Sequence, residues 1–396
     1  MKARLRRMVV LLLPLFGLLS GCWDRIELND LLLVTALALD IEEGQVVTTV
    51  QYLLPRSQST ASSSGGSSSS GSKQSSVRMS KGSNVADALS KLQRKLPRKL
   101  FWGQCKVFIL GEELARSGIR EEVDFLIRHP QPRERSYLFV SKGKAADILE
   151  VFPPLERTSA DVLRELSDMR IGYHVTLQEL NMMLKGESRA AALPFIRLLP
   201  PPKAAESTQT IAYIQGSAII RKDRMIGKLS DKVSQGMLWI LNEVKDFTVT
   251  FPIGESKKRV SISPIKASTR LIPTIRGDQW QMTIRVKAKG NMVENDTNWS
   301  PMNEQLLRQM DQAFEQEIKR YIELAASDVQ QRLKTDVLGF GTAFYRKYPK
   351  HWEWVKNRWD EQFQHVKVVV EVDAQIKRTG NVSNPGGLPE EEIKRR

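Results

Sequence analysis

The sequence predicts an α+β protein: mixed β-sheets flanked by helices, multidomain, with a long amphipathic helix and a closing strand in the C-terminal half. Three observations predict it. Leu31 to Leu39 and Val46 to Leu54 are strand-like runs separated by Glu42-Glu43-Gly44, a turn that makes them a hairpin. From Asn303 to about Lys334, Leu306, Met310, Phe314, Ile318, Tyr321, Ile322, Ala325, Val329 and Leu333 share one helical stripe. At 1.5 Å per residue the stripe is roughly 45 to 50 Å long and must lie across a sheet or a partner helix. Val366, Val368, Val370, Val372, Ala374 and Ile376 alternate with Lys367, Val369, Glu371, Asp373 and Gln375, the period of a strand with one buried face.

The remaining elements follow in chain order. Residues 57–76 hold twelve Ser and three Gly, too little apolar surface to order themselves, and read as a flexible loop within the first domain. After Ser83, a helix N-cap, Val85, Ala88, Leu89, Leu92 and Leu96 recur at helical spacing. Further helical patterns cover about 112–128, 143–151, 158–169 and 176–184, with a strand near Ser136 to Val140. Leu193-Pro194, Pro200-Pro201-Pro202 and the polar Lys203 to Gln209 break every periodicity, which places the main boundary there. Ile211 to Ile220 and the alternating Met282, Ile284, Val286 and Ala288 are strands of the second half. The expected organisation is a signal peptide (1–21), an N-terminal α+β domain (22–200), a linker (201–209), a C-terminal α+β region of one or more domains (210–380) and a flexible tail (381–396).

Of the 396 residues, 41% are hydrophobic and 27% charged, which excludes wholesale disorder and a polytopic membrane protein. The first 22 residues set the compartment: a basic start, an apolar run from Met8 to Leu19, then Leu19-Ser20-Gly21-Cys22. Twelve apolar residues are too short for a permanent span, so the segment reads as a leader cleaved after Gly21. Cys22 would then carry diacylglycerol, and an ordinary secretory signal with a chance cysteine is the alternative. Cys105, beside Lys106-Val107-Phe108-Ile109-Leu110, reads as a buried strand thiol. The chain carries +15, and +11 once Lys2, Arg4, Arg6 and Arg7 leave with the leader. Of that excess, +7 lies between Arg78 and Lys106. Lys91, Arg94, Lys95 and Arg98 form its candidate anionic-surface patch, facing a membrane or an acidic partner, with an ordinary solvated helix face as the alternative.

No seat for catalysis is visible. His129, His174, His351 and His365 are scattered, no cysteine pair exists for zinc, and no nucleophile elbow or phosphate-cradling glycine loop occurs. No cofactor is called for. Glu112-Glu113 and Glu121-Glu122 fall on helical stretches where acids cover a solvated face. The basic and aromatic run from Tyr345 to Trp359 superficially suits stacking on single-stranded nucleic acid. However, Trp352, Val355, Trp359 and Phe363 fall on one helical face, which assigns them to a core. Gly339-Phe340-Gly341 lacks the third glycine of a dinucleotide fingerprint. It is expected to be a structural turn, with Phe340 inside and the glycines in backbone conformations closed to other residues.

Gly21-Cys22-Trp23-Asp24-Arg25-Ile26-Glu27-Leu28 and the strand pair after it resemble the opening of the Ger(x)C family of bacterial spore germination lipoproteins. Leu100-Phe101-Trp102-Gly103-Gln104-Cys105-Lys106-Val107 resembles a family strand, with Gln104 where a histidine is expected. Asp336-Val337-Leu338-Gly339-Phe340-Gly341, Tyr348-Pro349-Lys350-His351-Trp352 and Trp359-Asp360-Glu361-Gln362-Phe363 resemble its C-terminal signature, with Val337 in place of the usual proline. The resemblance implies the C subunit of a nutrient germinant receptor, not an enzyme, lipid-anchored at the outer face of the spore's inner membrane. Its implied partners are a membrane-spanning A subunit and a transporter-like B subunit. A solute-binding lipoprotein feeding a transporter is the rival reading, and would need two lobes closing over a cleft.

Overall fold

The computed structural model describes residues 27–54, 74–203, 206, 208–245, 247–254, 258–378 and 387–394. Cys22 and the expected cleavage residues Leu19, Ser20 and Gly21 lie outside them, as does most of the Ser-rich segment.

Two sheets organise the described residues. The hairpin forms as expected: β1 (Leu31–Glu42) and β2 (Gln45–Leu53) pair antiparallel from Val34↔Tyr52 to Glu42↔Gln45. Glu43 and Gly44 both take positive φ, 53° and 74°, which lets a two-residue turn match the twist of the strands. β3 (Ser75–Gly82) pairs with β2, so the loop expected over 57–76 ends at least two residues earlier, and Ser75 and Ser76 are strand residues. Their side of the ladder is fixed by register with Leu53 and Tyr52, which composition alone does not reveal.

β1 also pairs in parallel with the short β4 (Lys99–Phe101) and with β5 (Val107–Gly111). β6 (Tyr137–Ser141) and β7 (Ala190–Leu198) continue the parallel centre, and β8 (Ala212–Arg221) and β9 (Arg224–Ser230) close it antiparallel. Among the described residues this sheet has nine strands, in the order β3-β2-β1-β5-β6-β7-β8-β9 with β4 beside β1. Two expectations need correction here. Leu193-Pro194 lies inside β7, where Pro194 pairs with Ser217, rather than at a boundary. The expected linker 201–209 lies within the connection between two hydrogen-bonded neighbours, so β8 and β9 of the second half complete the sheet of the first.

Helices cover both faces. α1 (Val85–Gln93) is capped by Asn84, whose side chain accepts from Asp87 N, rather than by Ser83. The pattern expected at 112–128 is two helices, α2 (Glu112–Ser117) and α3 (Arg120–Arg128), broken at Gly118, whose φ of 137° no helix accommodates. α4 (Ala145–Glu150), α5 (Ser159–Asp168) and α6 (Leu177–Lys185) follow, the last with a Thr176/Glu179 capping box. Asp40 at the end of β1 is buried and accepts from Ala145 N (2.7 Å) and Ala146 N (3.0 Å), tying the start of α4 to the sheet. Burial outweighs these two bonds and holds its carboxyl above the usual range.

After α7 (Asp231–Leu241), the second sheet runs β10 (Val249–Pro252), β11 (Arg259–Arg276), β12 (Gln279–Asn295) and β13 (Lys367–Arg378), with β12 and β13 parallel. α8 (Glu304–Ser327) carries the expected stripe and is prolonged by a π-helical turn, Asp328–Leu333, before Lys334 turns left-handed. All nine stripe residues are buried. The helix also finishes the sheet edge: Glu315 accepts from Ala374 N (3.1 Å) and Asp311 from Ile376 N (2.8 Å), occupying edge donors of β13. The tail is not frayed over 387–394. Ile393 is buried, Lys394 N donates to Asn298 O, and Lys394 bridges to Trp299.

Candidate functional site

The C-terminal signature folds into three short helices, α9 (Phe340–Lys347), α10 (Pro349–Val355) and α11 (Trp359–His365). What organises them is Asp336, which is 1% exposed. Its Oδ1 accepts from Leu338 N (3.0 Å) and Phe340 N (3.2 Å), and its Oδ2 from Gly341 N (2.6 Å), Ser188 Oγ (2.9 Å) and Trp359 Nε1 (3.0 Å). One carboxylate therefore satisfies the free N–H groups that open α9, where the helix dipole favours negative charge. It also fixes the indole of α11 and reaches the loop before β7.

The expected turn is present, but its two glycines serve different ends. Gly339 takes φ 80°, the left-handed conformation that favours glycine. Gly341 is helical, and the expectation that its φ is closed to other residues is corrected. A Cβ there would come within 2.8 Å of Ser188 Oγ, 2.9 Å of Trp359 Nε1 and 3.0 Å of the Trp352 ring, so space rather than φ demands glycine. Phe340 is buried as expected.

Trp352, Val355, Trp359 and Phe363 all face the core, with the Trp352 and Trp359 rings 4.9 Å apart and Trp280 4.7 Å from Phe344. Trp354 alone of the signature indoles is open, at 73%. Trp352 Nε1 donates to Glu187 Oε2 at 2.8 Å, a second tie to the loop before β7. Glu187 and Ser188 carried no sequence signal, since their partners stand 165 and 148 residues away. Beside this junction a polar cleft of about 650 Å³ is lined by Lys185, Arg189, Arg221, Lys222 and Arg358 together with Glu187, Asp360 and Glu361.

The other residues of interest stay apart from it. Cys105 is fully buried just before β5, its thiol pushed up to about 12 by burial, as suits an inert core sulfur. His129 packs on Trp102 and Phe125, with ring centroids 5.9 and 5.5 Å away. Glu112 pairs with Arg116, and Glu121 is exposed, but Glu122 is buried on α3, with burial pushing its carboxyl up. No group of three His, Cys, Asp or Glu residues is placed to hold a metal among the described residues. No helix among them is long and apolar enough to cross a membrane. Of the basic patch, Lys91 pairs with Asp87 at 2.7 Å, Arg94 and Lys95 are exposed, and Arg98 is half-buried.

Comparison with known proteins agrees with this geometry. A family profile described as spore germination protein N-terminal domain matches residues 24–198, and one described as spore germination B3/GerAC like, C-terminal, matches 215–380. Spore germination protein KC of Bacillus subtilis (strain 168) is 24% identical over 96% of this chain and 97% of its own length. Putative spore germination protein YfkR of the same organism is 28% identical over 92% of this chain and 94% of its own. The crystal structure of the GerBC protein shares the fold, with a TM-score of 0.57 and 20% identity over 86% of this chain and 96% of that one.

Proposed function

Since the chain belongs to the Ger(x)C family of spore germination proteins, we propose that it is the lipid-anchored C subunit of a nutrient germinant receptor. In this reading it is needed for nutrient-triggered germination and works by assembly with membrane A and B subunits, at the outer face of the spore's inner membrane. It performs no catalysis of its own. The observation that carries the reading is the ordered match of both family profiles across 24–198 and 215–380. The sequence Leu19-Ser20-Gly21-Cys22 supplies the proposed acylation point, and two acyl chains hold a protein at a membrane where one does so only marginally.

The arrangement around Asp336 supports a scaffold role. The signature residues are spent on internal bonds and packing, which makes them parts of a rigid body rather than a reactive centre. The rival reading, a solute-binding protein with two closing lobes, is disfavoured by the core. Ala190, Ala192, Ile219 and Leu229 of the first sheet share one hydrophobic cluster with Met282, Phe314 and Phe340 of the second half.

The test is a Cys22→Ala chain in sporulating cells. The proposal expects it to leave the membrane fraction and to lose nutrient-triggered germination. A variant that still partitions with membranes and supports germination would contradict it.

A further inference from the structure

The strand register gathers unpaired basic groups at one end of the first sheet, and it is the end from which the chain departs towards Cys22. Leu31, the first residue of β1, is level with Lys99 of β4. Lys106 N donates to Thr35 O, and Tyr137 N to Lys106 O, so the starts of β5 and β6 open on the same end. α1 ends there too. Gln93 holds the turn that follows it rigid, its side chain donating to Arg98 O and accepting from Leu100 N, both at 2.9 Å. This fixes Arg94 and Lys95 beside Lys99. Arg94, Lys95, Lys99 and Lys106, with Arg133 and Arg135 before β6, are exposed and join no ion pair among the described residues. The exposed acids of this end are Glu27, Asp30 and Glu134, and Leu28 stands 70% exposed at the point of departure.

The opposite end has the opposite sign. Asp40, Glu42, Glu43 and Glu113 gather around the β1–β2 turn, with Lys144 the only cation lining that hollow among the described residues. The first sheet is thus charged along its strands, positive on the side of the anchor and negative away from it. Eight residues separate Cys22 from Leu31, and at about 3.5 Å each they reach no more than about 30 Å.

We propose that this basic end of the first sheet, formed by Arg94, Lys95, Lys99 and Lys106 around the start of β1, is the face that lies against anionic lipid head groups. The proposal rests on the lipid anchoring proposed above and adds an orientation to it. β1 rises from the lipid surface, and the acidic β1–β2 turn points away. Attraction of this kind is felt within about one Debye length, roughly 8 to 10 Å, so the side that faces the lipid decides the interaction.

The experiment uses the chain from residue 22 onward, which holds every described residue, with Cys22→Ser to remove acylation. Its association with mixed phosphatidylcholine–phosphatidylglycerol vesicles is compared with that to phosphatidylcholine alone, at low and high salt. Arg94→Gln, Lys95→Gln, Lys99→Gln and Lys106→Gln together should weaken binding to the anionic vesicles by at least about tenfold and leave the melting temperature unchanged, since one nearby basic side chain is worth roughly a factor of five. A control that removes the same charge from the second half, with Lys287, Lys289, Arg346 and Lys350 changed to Gln, should bind within about twofold of the parent. Equal loss in both variants, or no preference of the parent for anionic vesicles, would overturn the proposal. Binding to poly-glutamate but not to vesicles, lost in the first variant alone, would overturn it in favour of an acidic protein partner. Acylation is read separately, from the intact mass of the wild-type chain extracted from membranes. Unmodified Cys22 with intact vesicle binding would sink the anchoring and leave the basic face standing. Acylated Cys22 without vesicle binding would overturn the face alone.

Discussion

Asp336 shows what a single residue contributes. Both of its oxygens face donors, three of them backbone N–H groups that open α9. An amide in its place would turn an N–H₂ towards donors. Asp336→Asn is therefore expected to destabilise the protein by about 2 kcal/mol or more, read as a lower denaturant midpoint; an unchanged midpoint would remove Asp336 from its central place. Cys105 gives a second prediction at this scale. With its thiol raised to about 12 by burial, it should resist alkylation in the native Cys22→Ser chain at neutral pH and react only as fast as the protein unfolds. Immediate labelling would contradict that. The sequence marked both residues only partly. Cys105 could be read as buried from its apolar neighbours, because burial is a local pattern. Asp336 was visible only as part of a motif, since its partners Ser188 and Trp359 are brought in by tertiary structure.

Elements were legible wherever one period ran unbroken. The α8 stripe and the β13 alternation hold residue by residue because each element buries a single face. Prediction lost the thread where one residue overrode the pattern: Gly118 splits 112–128, and Pro194 sits in a strand that composition reads as a break. The α8–α9 junction carries a prediction about space. Gly341→Val must displace Ser188, Trp359 or Trp352, so a loss of about 1 to 3 kcal/mol is expected, while Gly341→Ala should cost less. Equal stability of the valine variant would show that the junction yields. Glu42 carries a prediction about pH. It pairs with Lys144 before α4 and Lys81 on β3, both at 2.7 Å, and these bonds lower its carboxyl from an ordinary 4.5 to about 2. A lowered folded pKa means stability present above about 4.5 and lost as pH falls towards 2. The melting-temperature gap between wild type and Glu42→Gln should therefore be widest near neutrality and close across that window. A gap independent of pH would deny the pairs any role.

For the whole molecule, the boundary at 201–209 was legible in sequence, and both family profiles respect it. In space the same segment joins β7 to β8 within one sheet, and a shared hydrophobic cluster binds that sheet to the helices and strands of the second half. Composition reports where a chain is polar and broken, not whether the strands on either side pair. The two halves are joined by a common core and by the bonds from Asp336 and Trp352 to Ser188 and Glu187. Such a body suits a subunit that presents fixed surfaces to partners. The central claim, that this chain acts as an assembled receptor subunit at the spore membrane, is tested most directly by affinity purification of the full-length chain from detergent-solubilised spore membranes. The account predicts that both membrane subunits co-purify with it in constant proportion; recovery of the chain free of them, from spores that germinate normally on nutrient, would contradict it.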